Sequence, residues 1–193
     1  FTSSAFISHP EGWATSSATI CNLQSAIYHW RVRAVDYASN YSPYPIPYTL
    51  TIDTSPPNPP VLVSPSSGTY IDVSDVTFQW GVPEDEGHSG IKDYLLQIST
   101  AADFSIINHS SSIPHLEGSA TSSATIYNLQ SAIYFWRLLS RDNALNYSET
   151  SDVWSLIVDT SPPSAPELLG PASGHMTNNP DVTFSWAELP NVM

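Results

Sequence analysis

GWATSSATICNLQSAIYHWR occupies residues 12–31, and the nearly identical GSATSSATIYNLQSAIYFWR occupies residues 118–137. The offset between the two stretches is 106 residues, measured from Gly12 to Gly118. Self-similarity at a fixed period is typical of arrays in which one folding unit recurs along the chain. The sequence therefore predicts repeats of domain size, each long enough to bury a hydrophobic core of its own.

Two proline-rich segments recur with the same offset and mark the boundaries between the repeats. DTSPPNPP begins at Asp53, and DTSPPSAP begins at Asp159. Proline favours extended backbone and cannot donate to a central sheet ladder, so each segment is predicted to be a semi-rigid linker. We therefore expect three units: residues 1–53, the C-terminal part of a first repeat; residues 54–160, a complete repeat; and residues 161–193, the N-terminal part of a third repeat.

Alternation of apolar and polar residues predicts β-strands in the complete repeat. Val76, Phe78 and Trp80 share one face of such a strand. Further strands are predicted at residues 61–63, 94–98, 124–128, 134–140 and 154–158, with a weaker edge strand that includes Phe104 and Ile106. Since no segment shows a 3.6-residue apolar period over a helical length, we predict an all-β fold with about seven strands per repeat, which is typical of a sandwich.

The first copy of the repeated stretch predicts a strand with two distinct faces. Tyr28, Trp30 and Val32 are predicted to face the core, and His29 and Arg31 are predicted to face water. The partial repeats are therefore expected to leave apolar faces and unpaired strand edges, which favour association.

The charge of the chain restricts its partners. The formal net charge is −13, with only five Lys and Arg residues against 18 Asp and Glu. Such a chain repels phosphate backbones and anionic membrane surfaces, so we predict no nucleic-acid partner. No stretch reaches the roughly 20 apolar residues of a membrane span, so we also predict no membrane insertion by this segment. The scattered acidic residues indicate a solvated surface.

The single cysteine indicates a fold without disulfides. Cys21 corresponds to Tyr127 in the next copy, so no disulfide is predicted within this chain. A lone cysteine on a strand is usually a small apolar filler. This pattern fits a cytosolic protein or a secreted protein that lacks disulfides.

Several motifs of the complete repeat resemble a fibronectin type III module. The run VTFQWGVPED at residues 76–85 is similar to the second strand of that family, and GIKDYLLQIS at residues 90–99 is similar to the third. Leu129 followed by Tyr134 resembles the family's tyrosine corner, which immunoglobulin-like sandwiches share. The boundary VDTSPP at residues 158–163 resembles the junction between tandem copies in large bacterial surface or secreted proteins.

This resemblance implies the fold and the location of the chain. It implies tandem fibronectin type III or immunoglobulin-like β-sandwich modules in an extracellular or cell-surface protein. The sequence contains no Arg-Gly-Asp triplet, so it gives no support to integrin-type adhesion.

Asp142, Asn143 and Asn146 form the most suggestive polar cluster, and Asp36 and Asn40 repeat part of it. Their oxygens could contribute to a calcium site, although calcium requires six to eight oxygen ligands. Asp and Asn also stabilise tight turns by bonding to their own backbone. We favour the turn and predict no metal-ligating residue.

Glu84, Asp85, Glu86 and Asp93 form a second acidic group, for which a solvated loop is the expectation. The six histidines lack the paired spacing of zinc ligands; they are His9, His29, His88, His109, His115 and His175. No Gly-x-Ser-x-Gly motif orders a serine nucleophile. We therefore predict no catalytic residue, no cofactor-binding residue and no cofactor, and we predict that the chain is not an enzyme.

Trp13 corresponds to Ser119, so the core does not require an indole at this position. An exposed tryptophan covers a sheet edge or stacks on a sugar ring, and Tyr41 is a second candidate for stacking. Three Asn-x-Ser triplets match the glycosylation acceptor pattern, beginning at Asn40, Asn108 and Asn146.

The sequence thus predicts a non-catalytic repeat array that acts as a spacer or protein-interaction module. Its expected partners are neighbouring repeats of the same chain and an unknown protein or glycan. Two alternatives remain open at this point. One is an accessory carbohydrate-binding or linker region of a secreted glycoside hydrolase, and the other is a calcium-stiffened adhesin segment.

Overall fold

The structure is a computed structural model that describes residue 7 and residues 17–188. The described part of the chain contains β-strands and no helix, so the all-β prediction is confirmed. Accordingly, none of its elements is a helix long and apolar enough to span a membrane.

Twelve strands follow one another along the described residues. They are β1 (Ala26–Trp30), β2 (Tyr48–Ile52), β3 (Val61–Ser64), β4 (Thr69–Ile71), β5 (Val76–Gly81), β6 (Ile91–Ser99), β7 (His109–Pro114), β8 (Thr121–Ile126), β9 (Ala132–Asp142), β10 (Trp154–Val158), β11 (Leu168–Gly170) and β12 (Ser185–Trp186).

Strands β3 to β10 build a sandwich of two sheets within the predicted complete repeat. One sheet has the strand order β4-β10-β9-β6-β7, and the other has the order β3-β5-β8. The pairs are antiparallel apart from β4 and β10, which run parallel. Eight strands are therefore present where the sequence predicts about seven, because the start of the repeat divides between the two sheets as β3 and β4.

Aromatic residues from both sheets meet in the core. The ring centroids of Phe78 and Trp136 lie 5.0 Å apart, and those of Trp80 and Tyr94 lie 5.3 Å apart, in edge-to-face arrangements. All four side chains are buried. The alternation at Val76, Phe78 and Trp80 thus orients these residues inward as predicted, since polar neighbours take the solvent face.

The tyrosine corner has the predicted geometry in both copies. The hydroxyl of Tyr134 donates to the carbonyl of Gln130 at 3.1 Å, and the hydroxyl of Tyr28 donates to the carbonyl of Gln24 at 3.0 Å. The contact recurs because the two residues keep the same four-residue separation within the repeated stretch.

The predicted edge strand at Phe104 and Ile106 is wrong. Phe104 has a φ of 57° and its backbone N–H bonds to Ala101, so the chain turns there, and the edge strand is β7. Arg137 lies over the Phe104 ring at 4.0 Å from its centroid. Phe104 is therefore buried by a turn and a cation–π contact, which an apolar pattern does not distinguish from a strand.

Two short hairpins flank the sandwich. Strand β1 pairs with β2, and β11 pairs with β12, each in an antiparallel two-stranded sheet. Within the first hairpin, Trp30 packs edge-to-face against Tyr48 at 5.5 Å. Large apolar residues are exposed on both hairpins, among them Trp30 and Tyr48 on the first and Leu168 and Trp186 on the second.

Replacing two tryptophans one period apart measures what burial contributes. Trp136 is 0 % exposed and Trp30 is 50 % exposed. We expect Trp136→Ala to lower the free energy of unfolding of the sandwich by about 3–5 kcal/mol, because it opens a core cavity. Trp30→Ala serves as the matched control and is expected to change it by less than about 1 kcal/mol. Amide hydrogen exchange in β6 and β9 measures the free energy of unfolding of each variant. Equal losses of stability in the two variants would contradict the assignment of Trp136 to the core.

Candidate functional site

Three carboxylates meet where the first linker reaches the sandwich, and we call this group the junction cluster. Asp53 follows β2, Asp85 lies in the loop between β5 and β6, and Asp142 ends β9. One oxygen of each carboxylate lies within 4.8 Å of the other two. Asp142 is 0 % exposed and Asp53 is 8 % exposed, while Asp85 is half-buried.

The strand topology explains why these residues meet. Strand β3 is antiparallel to β5, and β6 is antiparallel to β9. The start of β3, the end of β5, the start of β6 and the end of β9 therefore lie at one end of the sandwich. The linker enters at this end, so it brings Asp53 to the two loops.

Asp142 is held by the turn that the sequence predicts. Its Oδ1 accepts a hydrogen bond from the backbone N–H of Asn146 at 2.8 Å, and its Oδ2 accepts one from the Asn146 Nδ2 at 2.8 Å. Leu145 completes the turn with a φ of 75°. These bonds satisfy a fully buried carboxylate in part, since each oxygen has further acceptor capacity.

The same turn recurs one period earlier. The Oδ1 of Asp36 accepts from the backbone N–H groups of Ala38 and Asn40, and its Oδ2 accepts from the Asn40 Nδ2 at 2.9 Å. These hydrogen bonds, led by the one from the Asn40 side chain, hold the pKa of Asp36 below its ordinary value.

Asp85 is fixed by backbone groups of its own loop. The N–H of Gly90 donates to Oδ2 at 2.6 Å, and the N–H of Gly87 donates to Oδ1 at 3.2 Å. The neighbouring Glu84 and Glu86 are exposed, as a solvated loop predicts.

Asp93 does not belong to the same group as Asp85. It forms an ion pair with Arg141, whose Nε donates to the Asp93 Oδ1 at 3.0 Å. Asp93 pairs in register with Arg141 across β6 and β9, so the two side chains share one face of the sheet. The acidic group predicted from sequence proximity therefore separates into one member of the junction cluster, one paired residue and two exposed residues.

Asp53 is enclosed by the loops of the following repeat. The backbone N–H of Ser55 donates to its Oδ1 at 2.9 Å, and that of Ser89 donates to its Oδ2 at 3.3 Å. Gly87 packs so closely that a Cβ at this position would overlap the Asp53 carboxylate. Glycine at position 87 therefore leaves the space that the carboxylate occupies.

The linker is also bonded to the following repeat through its backbone. The Nδ2 of Asn146 donates to the carbonyl of Asp53 at 3.2 Å. The N–H of Asn58 donates to the carbonyl of Glu84 at 3.0 Å, and the Asn58 carbonyl accepts from the Ser140 hydroxyl at 2.9 Å. The segment predicted as a semi-rigid linker is thus docked on the sandwich along much of its length.

The start of each linker is bonded to the preceding repeat in the same way. The N–H of Thr54 donates to the Ser25 hydroxyl at 3.0 Å, and the N–H of Thr160 donates to the Ser131 hydroxyl at 3.1 Å. Ser161 donates to the Asp159 Oδ1 as Ser55 does to Asp53. The bonds at the start of the linker therefore recur one period later.

Asp53 stays ionised despite its enclosure. Burial raises the pKa of Asp53, but hydrogen bonds from Ser89 and Ser55 and the nearby charge of His88 lower it further than burial raises it. The net result is a pKa below the ordinary 3.8. At neutral pH Asp53 therefore carries a negative charge in the partly desolvated space of the junction cluster.

The donor set suits a hard divalent cation. Calcium takes six to eight oxygen ligands at 2.3–2.6 Å, from carboxylates, carbonyls and water. The three carboxylates supply oxygens of this kind, and water would have to complete the shell. A cation site of this kind requires Asp53. The cluster predicted from the sequence, Asp142, Asn143 and Asn146, does not include this residue.

Asn143 and Asn146 have structural roles in the junction. The Nδ2 of Asn143 donates to the carbonyls of Ser89 and Gly90, which ties the two loops together. The Asn146 Nδ2 lies among Asp142, Asp53 and Ser55 acceptors. A glycan on Asn146 would displace these bonds.

Tyr41, His115 and Cys21 do not belong to the junction cluster. Trp13 and His9 lie outside the described residues. Tyr41 is half exposed, and one face of its ring is covered by Arg33 at 3.9 Å from the centroid, so that face is not open for stacking on a sugar. His115 accepts or donates a 3.1 Å hydrogen bond with the Tyr94 hydroxyl through Nδ1. Cys21 is exposed and lies outside the strands, so it does not fill the core.

Comparison with known proteins finds solved structures that are similar to parts of this chain. No protein-family model matches the sequence, and no curated protein matches it significantly. Solved structures that are similar include a β-1,2-glucanase from Parabacteroides distasonis, with 20 % identity and a TM-score of 0.38 over 62 % of this chain. The fibronectin(III)-like modules of Clostridium thermocellum CbhA match at 12 % identity and a TM-score of 0.37 over 69 % of this chain.

The chicken CNTN1 FN1-FN3 domains match at 12 % identity and a TM-score of 0.40 over 74 % of this chain. The matched part spans 16 % of the glucanase chain, 62 % of the CbhA modules and 48 % of the CNTN1 domains.

The ionisation of Asp53 predicts how the stability of the junction depends on pH. Because its pKa is lower in the folded protein than in the unfolded chain, its contribution is present above pH 3.8 and is lost as the pH falls through the lower folded value. We expect Asp53→Asn to destabilise the sandwich at neutral pH and to approach the wild type in acid. Urea unfolding of both proteins across this range measures the difference. If the stability difference between Asp53→Asn and the wild type widened on acidification, repulsion between Asp53 and the neighbouring carboxylates would outweigh the hydrogen bonds to Asp53.

Proposed function

We propose that the chain is a non-catalytic segment of an extracellular or cell-surface repeat array that acts as a spacer. Its immediate partners are the neighbouring repeats of the same chain, and an unknown protein or glycan is the further partner of the array. The observation that carries this proposal is the linker, which is bonded to the repeat on either side.

The linker bonds provide the mechanism of a spacer. Ser25 and Asn146 hold the start of the first linker, and Ser140 holds its later part. A linker held in this way transmits the position of one repeat to the next, whereas a flexible linker behaves as a random coil. Repeats that contact mainly their neighbours form quasi-one-dimensional arrays, and their length grows with repeat number.

Small-angle X-ray scattering on chains extended by further repeats tests the spacer role. We expect the maximum dimension to grow by a constant increment with each added repeat, because the docked linkers fix the spacing. A Gly87→Ala variant, in which a Cβ displaces Asp53, should give a smaller and broader distribution of distances. A maximum dimension that levels off as repeats are added would contradict the proposal.

A second candidate is a calcium-stiffened segment, and the junction cluster is the observation that favours it. Asp53, Asp85 and Asp142 bring three carboxylate oxygens within 4.8 Å of one another. A divalent cation would neutralise their mutual repulsion. Because Asp53 comes from the linker and the other two come from the following repeat, a bound ion would bridge both elements. Extracellular modules bind calcium with dissociation constants of about 10⁻⁴–10⁻³ M.

Thermal unfolding with and without calcium tests the second candidate. At a concentration of one hundred times the dissociation constant, binding contributes about 2.7 kcal/mol. We expect the melting temperature of the sandwich to rise by about 11–22 °C under these conditions, since 1 kcal/mol shifts a domain of this size by about 4–8 °C. Magnesium is expected to have a smaller effect because it demands a tighter octahedral shell.

Two variants of the same loop provide the control. Asp85→Asn removes a carboxylate of the junction cluster and is expected to abolish the calcium shift. Glu86→Gln removes the same charge from an exposed neighbour and is expected to retain it. An unchanged melting temperature in calcium, or an equal shift in both variants, would rule out the stiffening role and would leave the spacer role standing.

A further inference from the structure

The three Asn-x-Ser triplets, which begin at Asn40, Asn108 and Asn146, differ in what their side chains bond to. N-linked glycosylation joins the sugar to the asparagine Nδ2 and leaves the Oδ1 unchanged. The pattern also requires the serine hydroxyl two residues later. A triplet that is open in the folded protein therefore presents both an unengaged Nδ2 and an accessible hydroxyl.

Both groups are engaged in the triplet that begins at Asn146. Its Nδ2 donates to the Asp142 Oδ2 at 2.8 Å and to the carbonyl of Asp53 at 3.2 Å. Ser148 is 5 % exposed, and its hydroxyl accepts from the backbone N–H of Ser140 at 2.9 Å. The folded sandwich therefore blocks this triplet at both positions.

The triplet that begins at Asn40 is engaged in the same way one period earlier. The Asn40 Nδ2 donates to the Asp36 Oδ2 at 2.9 Å. The Ser42 hydroxyl accepts from the backbone N–H of Ala34 at 2.9 Å. Attachment of a sugar at Asn40 would displace the bond that holds this turn.

The triplet that begins at Asn108 is open. Asn108 and Ser110 are both exposed. The Asn108 Oδ1 accepts from the backbone N–H of Thr100 at 2.7 Å and from the Thr100 hydroxyl at 3.2 Å. The Asn108 Nδ2 and the Ser110 hydroxyl form no hydrogen bond with the part of the chain that the structure describes.

The bonds from Thr100 orient the Asn108 amide without blocking it. Because Oδ1 and Nδ2 diverge from the same carbon atom, two donors on Oδ1 leave Nδ2 on the other side of the amide. The backbone N–H of Asn108 donates to the carbonyl of Ile98 at 2.9 Å, which fixes the start of the side chain. A sugar on Nδ2 is therefore compatible with every hydrogen bond that Asn108 makes to the described residues.

The position of Asn108 in the fold also leaves room for an oligosaccharide. The residue lies between β6 and β7, and β7 is at the edge of the five-stranded sheet. The junction cluster lies where β6 starts, whereas Asn108 lies where β6 ends. The two sites are separated by the length of β6, about 26 Å at a rise of about 3.3 Å per residue. A glycan at Asn108 is therefore clear of the docked first linker.

We propose that Asn108 is the acceptor of an N-linked oligosaccharide and that Asn40 and Asn146 are unmodified in the folded chain. The donor is an oligosaccharide joined through pyrophosphate to a polyisoprenoid lipid. The Asn108 Nδ2 forms a bond to the anomeric carbon, and the bond from that carbon to the pyrophosphate oxygen breaks. The amide nitrogen gives up one proton as the lipid pyrophosphate leaves. The site rests on the extracellular or cell-surface location proposed above, since such donors act on chains that cross a membrane.

Secretion of the chain from cultured eukaryotic cells, behind a cleavable signal peptide, tests the proposal. We expect the secreted wild type to carry one N-linked glycan per chain. Enzymatic release in water enriched in heavy oxygen converts the former acceptor to a labelled aspartate. Peptide mass spectrometry is expected to find this label at position 108, and its absence there would overturn the proposal.

Variants of the triplets provide the controls. Asn108→Gln and Ser110→Ala are each expected to lose the whole glycan mass, while Ser110→Thr is expected to retain it because threonine also supplies a hydroxyl. Asn40→Gln removes the asparagine of another triplet and is expected to keep the full glycan mass. A glycan that persists in Asn108→Gln, or that disappears in Asn40→Gln, would overturn the assignment.

Two further measurements separate this proposal from its alternatives. Amide exchange in β6 and β9 shows that the sandwich is folded in each variant, so loss of the glycan reports on the acceptor. Small-angle scattering on chains without a glycan tests the spacer role independently. Unmodified Asn108 in a secreted chain whose maximum dimension grows with repeat number would overturn the glycan site alone. A glycan on Asn108 in a chain whose maximum dimension levels off would support the site and overturn the spacer role.

Discussion

The contact between Phe78 and Trp136 determines how the rest of the structure is arranged. The two rings come from different sheets and lie edge to face at 5.0 Å without exposure to water. Once β5 and β9 are held against each other, the loop after β5 and the end of β9 lie at the same end of the sandwich. Asp85 and Asp142 therefore meet as a consequence of core packing.

Local patterns in the sequence account for most of the core but not for the strand order. The alternation at Val76, Phe78 and Trp80 is sufficient to place three inward side chains, and Leu129 followed by Tyr134 is sufficient to place a corner. Strand β4 is different because, among the described residues, it pairs with β10, whose partner residues lie 87 positions later in the sequence. A pairing over that distance has no local signal, so the division of the first strand between two sheets was not predicted.

The junction shows the same distinction between local and long-range information. The turn that holds Asp142 depends on Asn146 four residues away, and sequence analysis predicted it. Asp53 meets Asp142 only through the topology, so the sequence-based cluster lacked it. One signal was present: an aspartate precedes both proline-rich segments with the same period, at Asp53 and Asp159. An aspartate that recurs at the start of both linkers indicates a structural role, which amino-acid composition alone does not reveal.

The parallel pairing of β4 with β10 has a mechanical consequence. These strands lie near the two ends of the complete repeat, and they pair over Leu156 to Thr69, Ile157 to Tyr70 and Val158 to Ile71. Tension applied through the neighbouring repeats pulls one strand toward the N-terminal end and the other toward the C-terminal end. In a parallel pair this load shears all of the register pairs together, whereas an antiparallel hairpin opens one pair at a time. Stretching along the chain therefore loads all of the β4–β10 register pairs at the same time.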